Sequence, residues 1–337
     1  MKEFVLAGAA VALSAAAFLA ALLNSQPMGF YSTHTLVADA QRHGVLVKAP
    51  CVQTSGWDAH LEAGLAEHAE AWWQGSRHKE RRHTPWADRE AGAHTYGLPV
   101  QPSVRLGLRE VLGMSEAQAE QLAEARRRQP FEGVADLVHR AELPKEMAAK
   151  LAAAGTMACF GLSRRQALWR VMALDRRSPL FAQVELPDDA GTGAALPEMS
   201  ATEAMRADYG TLGLSVSTHP MALVRDELRR RRVVGYLDLV KKPHGAHVRV
   251  GGMMVTRQRP GTASGVVFMT LEDEDGHMNL VVFTHVYERY RDLVRDEVML
   301  IAEGEVQRQG RVVNLIVQHF ARLEAADPGV SVARSFF

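Results

Sequence analysis

Cysteine is scarce: the chain of 337 residues has two, Cys51 and Cys159. That count, and the distance between them in the chain, exclude a disulfide framework and a zinc knuckle, and each reads as a small core residue. The 14 histidines include no His-Glu-x-x-His pattern, so a metal site has no support. Neither sign of charge dominates. Lys and Arg total 39, Asp and Glu total 39, and the whole-molecule field therefore points to no partner. A catalytic set is missing too. Asp188-Asp189 sits in a Pro/Gly-rich stretch, and Glu272 to Asp275 precedes a turn and reads as solvated turn chemistry. There is no nucleophile elbow. Ala190 to Ala195 (AGTGAA) lacks the strand–turn–helix setting of a phosphate loop and reads as linker.

What is present begins with an uncharged run, Phe4 to Leu23. It is long enough to cross a membrane but rich in alanine, which contributes little to partitioning and much to helix formation. Lys2 and Glu3 nearly cancel, a poor start for a secretion signal, although Ser14 to Ala17 imitates a cleavage site. Composition leaves a span and a buried helix both open. Pro27 ends the helix, Thr33 to Gly44 restarts one, and VLVKAPCVQ reads as a strand. Leu65 to Pro99, with Trp72, Trp73 and Trp86, reads as an insertion loop with some helix, and Leu180 to Ser200 as linker.

From Val104 the period is helical. Val104 to Phe131 reads as a short helix, a glycine turn and a second helix; Gly133 to Met157 repeats the scheme with a turn at Glu142 to Pro144. A further helix starts at Ser163, another ends at Gly213, and Pro220 opens one more. From Ala246 the period becomes that of strands: three strands, a helix, then two strands, with hairpin turns at Asp275-Gly276 and Gln309-Gly310. That order is that of an oligonucleotide-binding (OB) barrel, and Gly251-Gly252 suits its bend. The fold class expected is α+β multidomain, a helical region with tandem helix-hairpin-helix followed by a five-stranded OB barrel.

A glycine turn opening a helix can hold a phosphate through main-chain N–H groups and the helix dipole. The donors expected are Gly113, Met114 and Ser115, with Arg126, Arg127 and Arg128 adding phosphate contacts. The alternative is a bundle hairpin in which Gly113 serves packing. The second turn, Glu142 to Lys145, departs from the glycine pattern and reads as a structural partner. In the barrel, the first loop carries Arg257, Arg259 and Pro260; a loop arginine pair has no evident packing role. Phe268 and Phe283 lie on strands of the binding face, where an aromatic can stack on a base. Strand alternation does not decide between stacking and core, and at least one is expected to fill the core.

These residues together resemble the C-terminal part of a bacterial C-family DNA polymerase, closest to the error-prone, damage-associated branch of the polymerase III alpha-subunit family. The carrying segments are FLAALLNSQPMGFYS, GWDAHLE, VRLGLREVLGMSEAQAEQL, PFEGVADLVHRAEL, LAAAGTM with FGLSRRQALW, DYGTLGLSVSTHPMAL, RQRPGTASGVVFMTLEDEDG and ARSFF. The resemblance divides the chain into an atypical apolar start (1–17), a distal finger segment with insertion loop (18–100), a tandem helix-hairpin-helix (101–177), linker and helices (178–242), an OB domain (243–325) and a tail (326–337). It makes LLNSQPMGFY a soluble finger-region helix and turn. The family shows a more polar approach to that helix, and a truncated gene or shifted upstream frame would account for residues 1–17.

The resemblance implies duplex DNA and single-stranded template as partners, with other mutagenesis proteins or the sliding clamp beyond them, in the cytoplasm and without membrane. No residue matches the three metal-binding palm aspartates of the family. The chain alone is therefore expected to be inactive as a polymerase and to need no cofactor, Mg²⁺ belonging to the missing palm. Two readings from other classes stand beside this one: a membrane-tethered helix-hairpin-helix DNA receptor, and an RNA-binding OB module.

Overall fold

The computed structural model describes residues 15–29, 31–62, 102–174, 196–262, 264–323 and the backbone of 334–336. The expected insertion loop, the basic cluster Ser76 to His83 and most of the 180–200 linker lie outside them. The chain divides into two compact units, Met1–Leu196 and Pro197–Phe337.

In the first unit, the described part of helix α1 runs 15–24. Ala16, Leu19, Ala20 and Leu23 are buried, spaced i, i+3, i+4, i+7, while Phe18 is exposed. The described part of the apolar run thus forms an amphipathic helix with one buried face. No helix among the described residues is long and apolar enough to cross a membrane. The turn after α1 is clamped. Asn24 Nδ2 donates to Ala59 O (2.9 Å) and Asn24 Oδ1 accepts from Ala59 N (2.8 Å). Arg109 donates to the carbonyls of Asn24 and Gln26 and to Asp58, each at 2.8 Å, and lies over the Trp57 ring.

Helix α2 (Thr33–Arg42) leads to a three-stranded sheet of β1 (Val47–Lys48), β2 (His60–Glu62) and β3 (Ser103–Arg105), in the order β1-β3-β2. The predicted strand VLVKAPCVQ is thus only two residues long. Each strand gives one charge to a cluster: Arg105 grips Glu62 through Nε (2.8 Å) and Nη2 (3.0 Å), and Lys48 Nζ reaches the same carboxylate at 2.9 Å. Burial opposes ionisation of Glu62, but these hydrogen bonds outweigh it and bring its pKa down to about 2. A 3₁₀ turn (Leu108–Glu110) follows, then α3 (Glu116–Arg128), α4 (Val134–Arg140), α5 (Lys145–Ala153), a second 3₁₀ turn (Ala158–Phe160) and α6 (Arg164–Ala173). Leu106, Leu108, Leu122, Leu137, Leu151 and Met157 are fully buried.

The second unit opens with α7 (Ala201–Leu212), capped by Gly213, and α8 (Pro220–Arg230), then β4 (Val233–Val234) and α9 (Tyr236–Leu239). The barrel strands are β5 (His247–Gln258), β6 (Val267–Glu272), β7 (His277–Val282), β8 (Met299–Gln309) and β9 (Val312–Arg322), with α10 (Thr284–Arg289) and α11 (Arg291–Asp296) between the third and fourth. β5 closes the barrel by serving two neighbours. Its first half, His247 to Met253, pairs with β8, and its second half, Met253 to Gln258, pairs with β6. Gly251 and Gly252 sit just before that handover. β7 pairs β9 in parallel, completing a five-strand barrel. Val267, Met269 and Leu271 of β6 and Met278, Leu280 and Val282 of β7 point into its core, as a two-residue period requires. The backbone of β10 (Arg334–Phe336) adds in parallel to β5.

The acidic turn after β6 is not solvated, contrary to its sequence reading. Asp273 is fully buried and Arg225 nearly so. Asp273 accepts from Arg225 Nη2 (2.9 Å) and from the N–H groups of Tyr236 (2.7 Å), Asp275 (2.9 Å) and Gly276 (3.0 Å). Glu274 takes two further bonds from the same guanidinium, at 2.7 and 2.8 Å. Burial, then adjacent Glu274, pushes the Asp273 carboxyl up to about 6. Burial also opposes ionisation of Glu274, yet the Arg225 bonds hold it below the usual carboxylate range.

Candidate nucleic-acid interface

The glycine turn at 113 has the backbone that its sequence demands. Gly113 has φ +85°, a conformation that costs other residues energy. Ser115 is the N-cap of α3 and closes a capping box with Gln118. This box changes the donor assignment. The Ser115 N–H goes to Gln118 Oε1 (3.1 Å), and the Met114 N–H to Val111 O (3.0 Å). Two of the three expected phosphate donors are therefore engaged within the turn. Among the described residues the Gly113 N–H has no acceptor, and the first two N–H groups of α3 have none within the helix. A cation that sequence reasoning missed stands here: Lys150 of α5 donates from Nζ to Leu112 O (3.3 Å), and that Nζ lies 3.0 Å from where a Cβ on Gly113 would be.

The turn at 142–144 repeats this backbone without the glycine: Glu142 has φ +48°, and Pro144 is the N-cap of α5. That segment is closed by Glu142 N–H to His139 O (3.2 Å) and Leu143 N–H to Val138 O (3.0 Å), with Lys145 Nζ on Met172 O at 2.9 Å. The turn that matches in sequence as well is Gly161-Leu162-Ser163. Gly161 has φ +70°, Ser163 is the N-cap of α6, and Gln166 completes the same capping box. The signal was in the sequence: LGMSEAQA and FGLSRRQA share Gly, apolar, Ser, then Gln-Ala at the same offsets. The second version places Arg164 and Arg165 where the first has Glu116 and Ala117.

Of the three arginines closing α3, Arg126 stands apart. Its Nη1 donates to Val52 O and Ser55 O, both at 2.9 Å, and burial lowers its pKa. It pins the 51–55 loop and is withdrawn from any phosphate. Arg127 and Arg128 are exposed and pair with Glu124 of their own helix, at 2.7 and 3.3 Å, and Arg127 Nε also donates to Ala123 O (3.4 Å); such surface pairs contribute little. They stand at the end of a 13-residue helix, about 18 Å from its first turn. One phosphate cannot meet both ends.

In the barrel, Arg257 is likewise turned inward. It is 8% exposed, and its Nη1 caps the end of α11 through Val294 O, at 2.6 Å, and Arg295 O, at 2.9 Å. This is the packing role that the sequence reading denied it. Arg259 stays near the surface, 5.7 Å from the Tyr287 ring centre. The expectation that one phenylalanine fills the core is corrected: Phe268 is 41% and Phe283 44% exposed. Phe268 alternates with buried Val267 and Met269, so it faces outward on β6. A row crosses the sheet there, Gln258–Phe268–Val281–Ile316. Phe283 caps α10 with its ring stacked near His285 at 6.3 Å. Together with Arg289, Ile316 and Gln318 it lines a shallow hollow of about 320 Å³. Ile316 belongs to both the row and the hollow, which makes them one surface.

Comparison with known proteins agrees with this architecture. A helix-hairpin-helix motif family matches residues 44–167, and an OB-fold nucleic acid binding domain family matches 248–323. The first match takes in both glycine–serine turns and begins upstream of them, at the small sheet. An error-prone DNA polymerase of Anaeromyxobacter dehalogenans (strain 2CP-C) is 42% identical over 95% of this chain and 26% of its own length. One from Pseudomonas fluorescens (strain Pf-5) is 38% identical over 94% of this chain and 28% of its own length. The chain thus spans about a quarter of the length of these curated relatives. Among solved structures, asparaginyl-tRNA synthetase from Pyrococcus horikoshii aligns with 29% of this chain and 24% of its own at 23% identity, with a TM-score of 0.24, too small a likeness to carry an argument. A helix-hairpin-helix segment followed by an OB fold, inside one continuous match to these enzymes, makes the chain similar along nearly its whole length to the C-terminal part of error-prone, C-family DNA polymerases.

Proposed function

We propose that this chain is the DNA-holding part of an error-prone polymerase. Its helical hairpins grip duplex backbone, and its barrel holds single-stranded template. The observation that carries the reading is the repeated turn: two glycines in the left-handed region, each two residues before a serine-capped helix, in a chain that continues into an OB barrel. At the first turn the phosphate ligands are the Gly113 N–H, the opening amides of α3 and the Lys150 ammonium. At the second they are the opening of α6 with Arg165, Arg164 donating to Ala153 O (3.2 Å). Recruiting Ser115 or Met114 requires phosphate to displace their present acceptors. Arg127 and Arg128 meet phosphates further along the duplex. On the barrel, Phe268 and Phe283 offer faces on which bases stack, and Arg259 neutralises backbone charge.

None of these contacts reads a base edge, so binding is independent of sequence and sensitive to salt. Nucleotide addition, and the Mg²⁺ it uses, is assigned to the part of the relatives that this chain does not span; the chain by itself binds and does not extend. The test is a titration of labelled primer–template at several salt concentrations, with duplex RNA and single-stranded RNA as competitors. A steep fall of log affinity with log salt, and weaker competition by RNA, supports the reading. Equal competition by single-stranded RNA would favour an RNA-binding OB module instead.

A further inference from the structure

The chain's two cysteines, 108 positions apart (159 − 51), meet in the fold. Cys51 follows β1; Cys159 lies in the 3₁₀ turn between α5 and α6. A backbone bond from Val52 N to Thr156 O (3.0 Å) holds the two segments side by side, and the Cys159 thiol donates to that same Thr156 carbonyl (3.9 Å), which brings the two cysteine side chains together. Cys159 is exposed, Cys51 partly so.

The surroundings of Cys51 are built and cationic. Its own N–H is fixed on Ser55 Oγ at 3.0 Å. Arg126 is anchored on the carbonyls of Val52 and Ser55, and Arg105 on Ala49 O at 2.7 Å, so two guanidinium groups are held around the loop that carries it. The neighbouring Cys159 thiol draws the Cys51 thiol down to about 5 against the effect of burial, with Arg105 assisting. The Cys51 sulfur, with burial, pushes the Cys159 thiol up. The pair is asymmetric: Cys51 sits among the guanidinium groups, and Cys159 turns its thiol to the Thr156 carbonyl. A low-pKa sulfur, accessible and next to a second cysteine, is the arrangement of a redox-responsive site.

We propose that Cys51 and Cys159 form a peroxide-reactive dithiol that closes to a disulfide. In the first step the Cys51 thiolate attacks one oxygen of hydrogen peroxide. The O–O bond breaks, Cys51 becomes a sulfenic acid, and hydroxide leaves. In the second, the Cys159 sulfur attacks the Cys51 sulfur. The S–O bond breaks, the Cys159 proton joins the departing hydroxide as water, and the S–S bond forms. Both sulfurs are oxidised, and one peroxide is reduced to two waters. The product ties the segment leading into the 161–163 turn to the 51–55 loop.

The experiment treats the full chain with a small excess of hydrogen peroxide at neutral pH and reads intact and peptide masses. The expected result is loss of two hydrogen atoms and a linked peptide pair containing Cys51 and Cys159, reversed by a thiol reductant. Cys159→Ser should stop at a Cys51 sulfenic acid trapped by dimedone, and Cys51→Ser should remain reduced. In the untreated protein at pH 6–7, Cys51 should alkylate with iodoacetamide more than about tenfold faster than Cys159. Two thiols that both stay alkylatable after peroxide, or equal oxidation of Cys159 in Cys51→Ser, would overturn the assignment. None of these readouts involves DNA, so their failure leaves the proposed function untouched, and a failure of DNA binding leaves them untouched.

Discussion

The hairpin unit and the barrel unit treat their arginines in the same two ways. In the first, Arg126 is anchored on two carbonyls while Arg127 and Arg128, its immediate neighbours, stand in solvent. In the second, Arg257 is anchored on two carbonyls while Arg259, two positions on, lies by a tyrosine face. Adjacent members of one basic cluster thus do opposite work. A guanidinium that finds converging carbonyls becomes part of the frame; one that does not remains available to an anion. The barrel takes the first option furthest, with Arg225 buried among two carboxylates, whereas the hairpin unit keeps its acid–base cluster at Glu62 partly open to water.

The sharpest way to break this division is to remove an inward arginine. Arg225→Met should destabilise the barrel unit by about 3–5 kcal/mol, because Asp273 and Glu274 are left without their cation. Arg257→Met should cost about 2–3 kcal/mol for the lost charged hydrogen bonds. In both cases urea unfolding should shift while the salt dependence of DNA binding of the folded protein does not. Outward residues should do the reverse. Phe268→Ala should weaken single-stranded DNA binding by about 1–3 kcal/mol and leave unfolding within about 0.5 kcal/mol. The acid limb of stability should differ between the units. The folded pKa of Glu62 is depressed, so its contribution is complete above its unfolded value of 4.5 and is lost as pH falls toward about 2. Allowing for solvent screening, that is at most about 2 kcal/mol, read by acid titration of the 1–196 unit's tryptophan signal against Glu62→Gln. The smallest effect is that of Arg127→Ala or Arg128→Ala, each lowering the log–log salt slope for duplex DNA by about 1 with no change in stability.

The barrel was legible because its strands are rich in β-branched and apolar residues and their turns carry Asp-Gly and Gln-Gly, signals that local chemistry alone produces. The glycine turn at 113 was legible for the same reason. Its sequence twin at 161 was passed over because the turn at Glu142 to Lys145, which shares the backbone but not the glycine, lies between them, and pattern spacing favours neighbours. The repeated Gly–apolar–Ser with Gln at the third helical position would have found it. The fates of Arg126 and Arg257 were not legible at all: their acceptors lie 71 to 74 and 37 to 38 positions away, and no local pattern announces a carbonyl pair formed by tertiary packing. The meeting of Cys51 and Cys159 was hidden in the same way.

The most direct test of the account is the affinity of the purified chain for a primer–template duplex as a function of salt, compared with Gly113→Val/Gly161→Val protein whose folding is verified by circular dichroism. The account predicts a steep, sequence-independent salt dependence in the parent, at least tenfold weaker binding in the paired variant at low salt, and no primer extension by either. Binding that ignores salt, or a folded variant that binds as tightly as the parent, would contradict it.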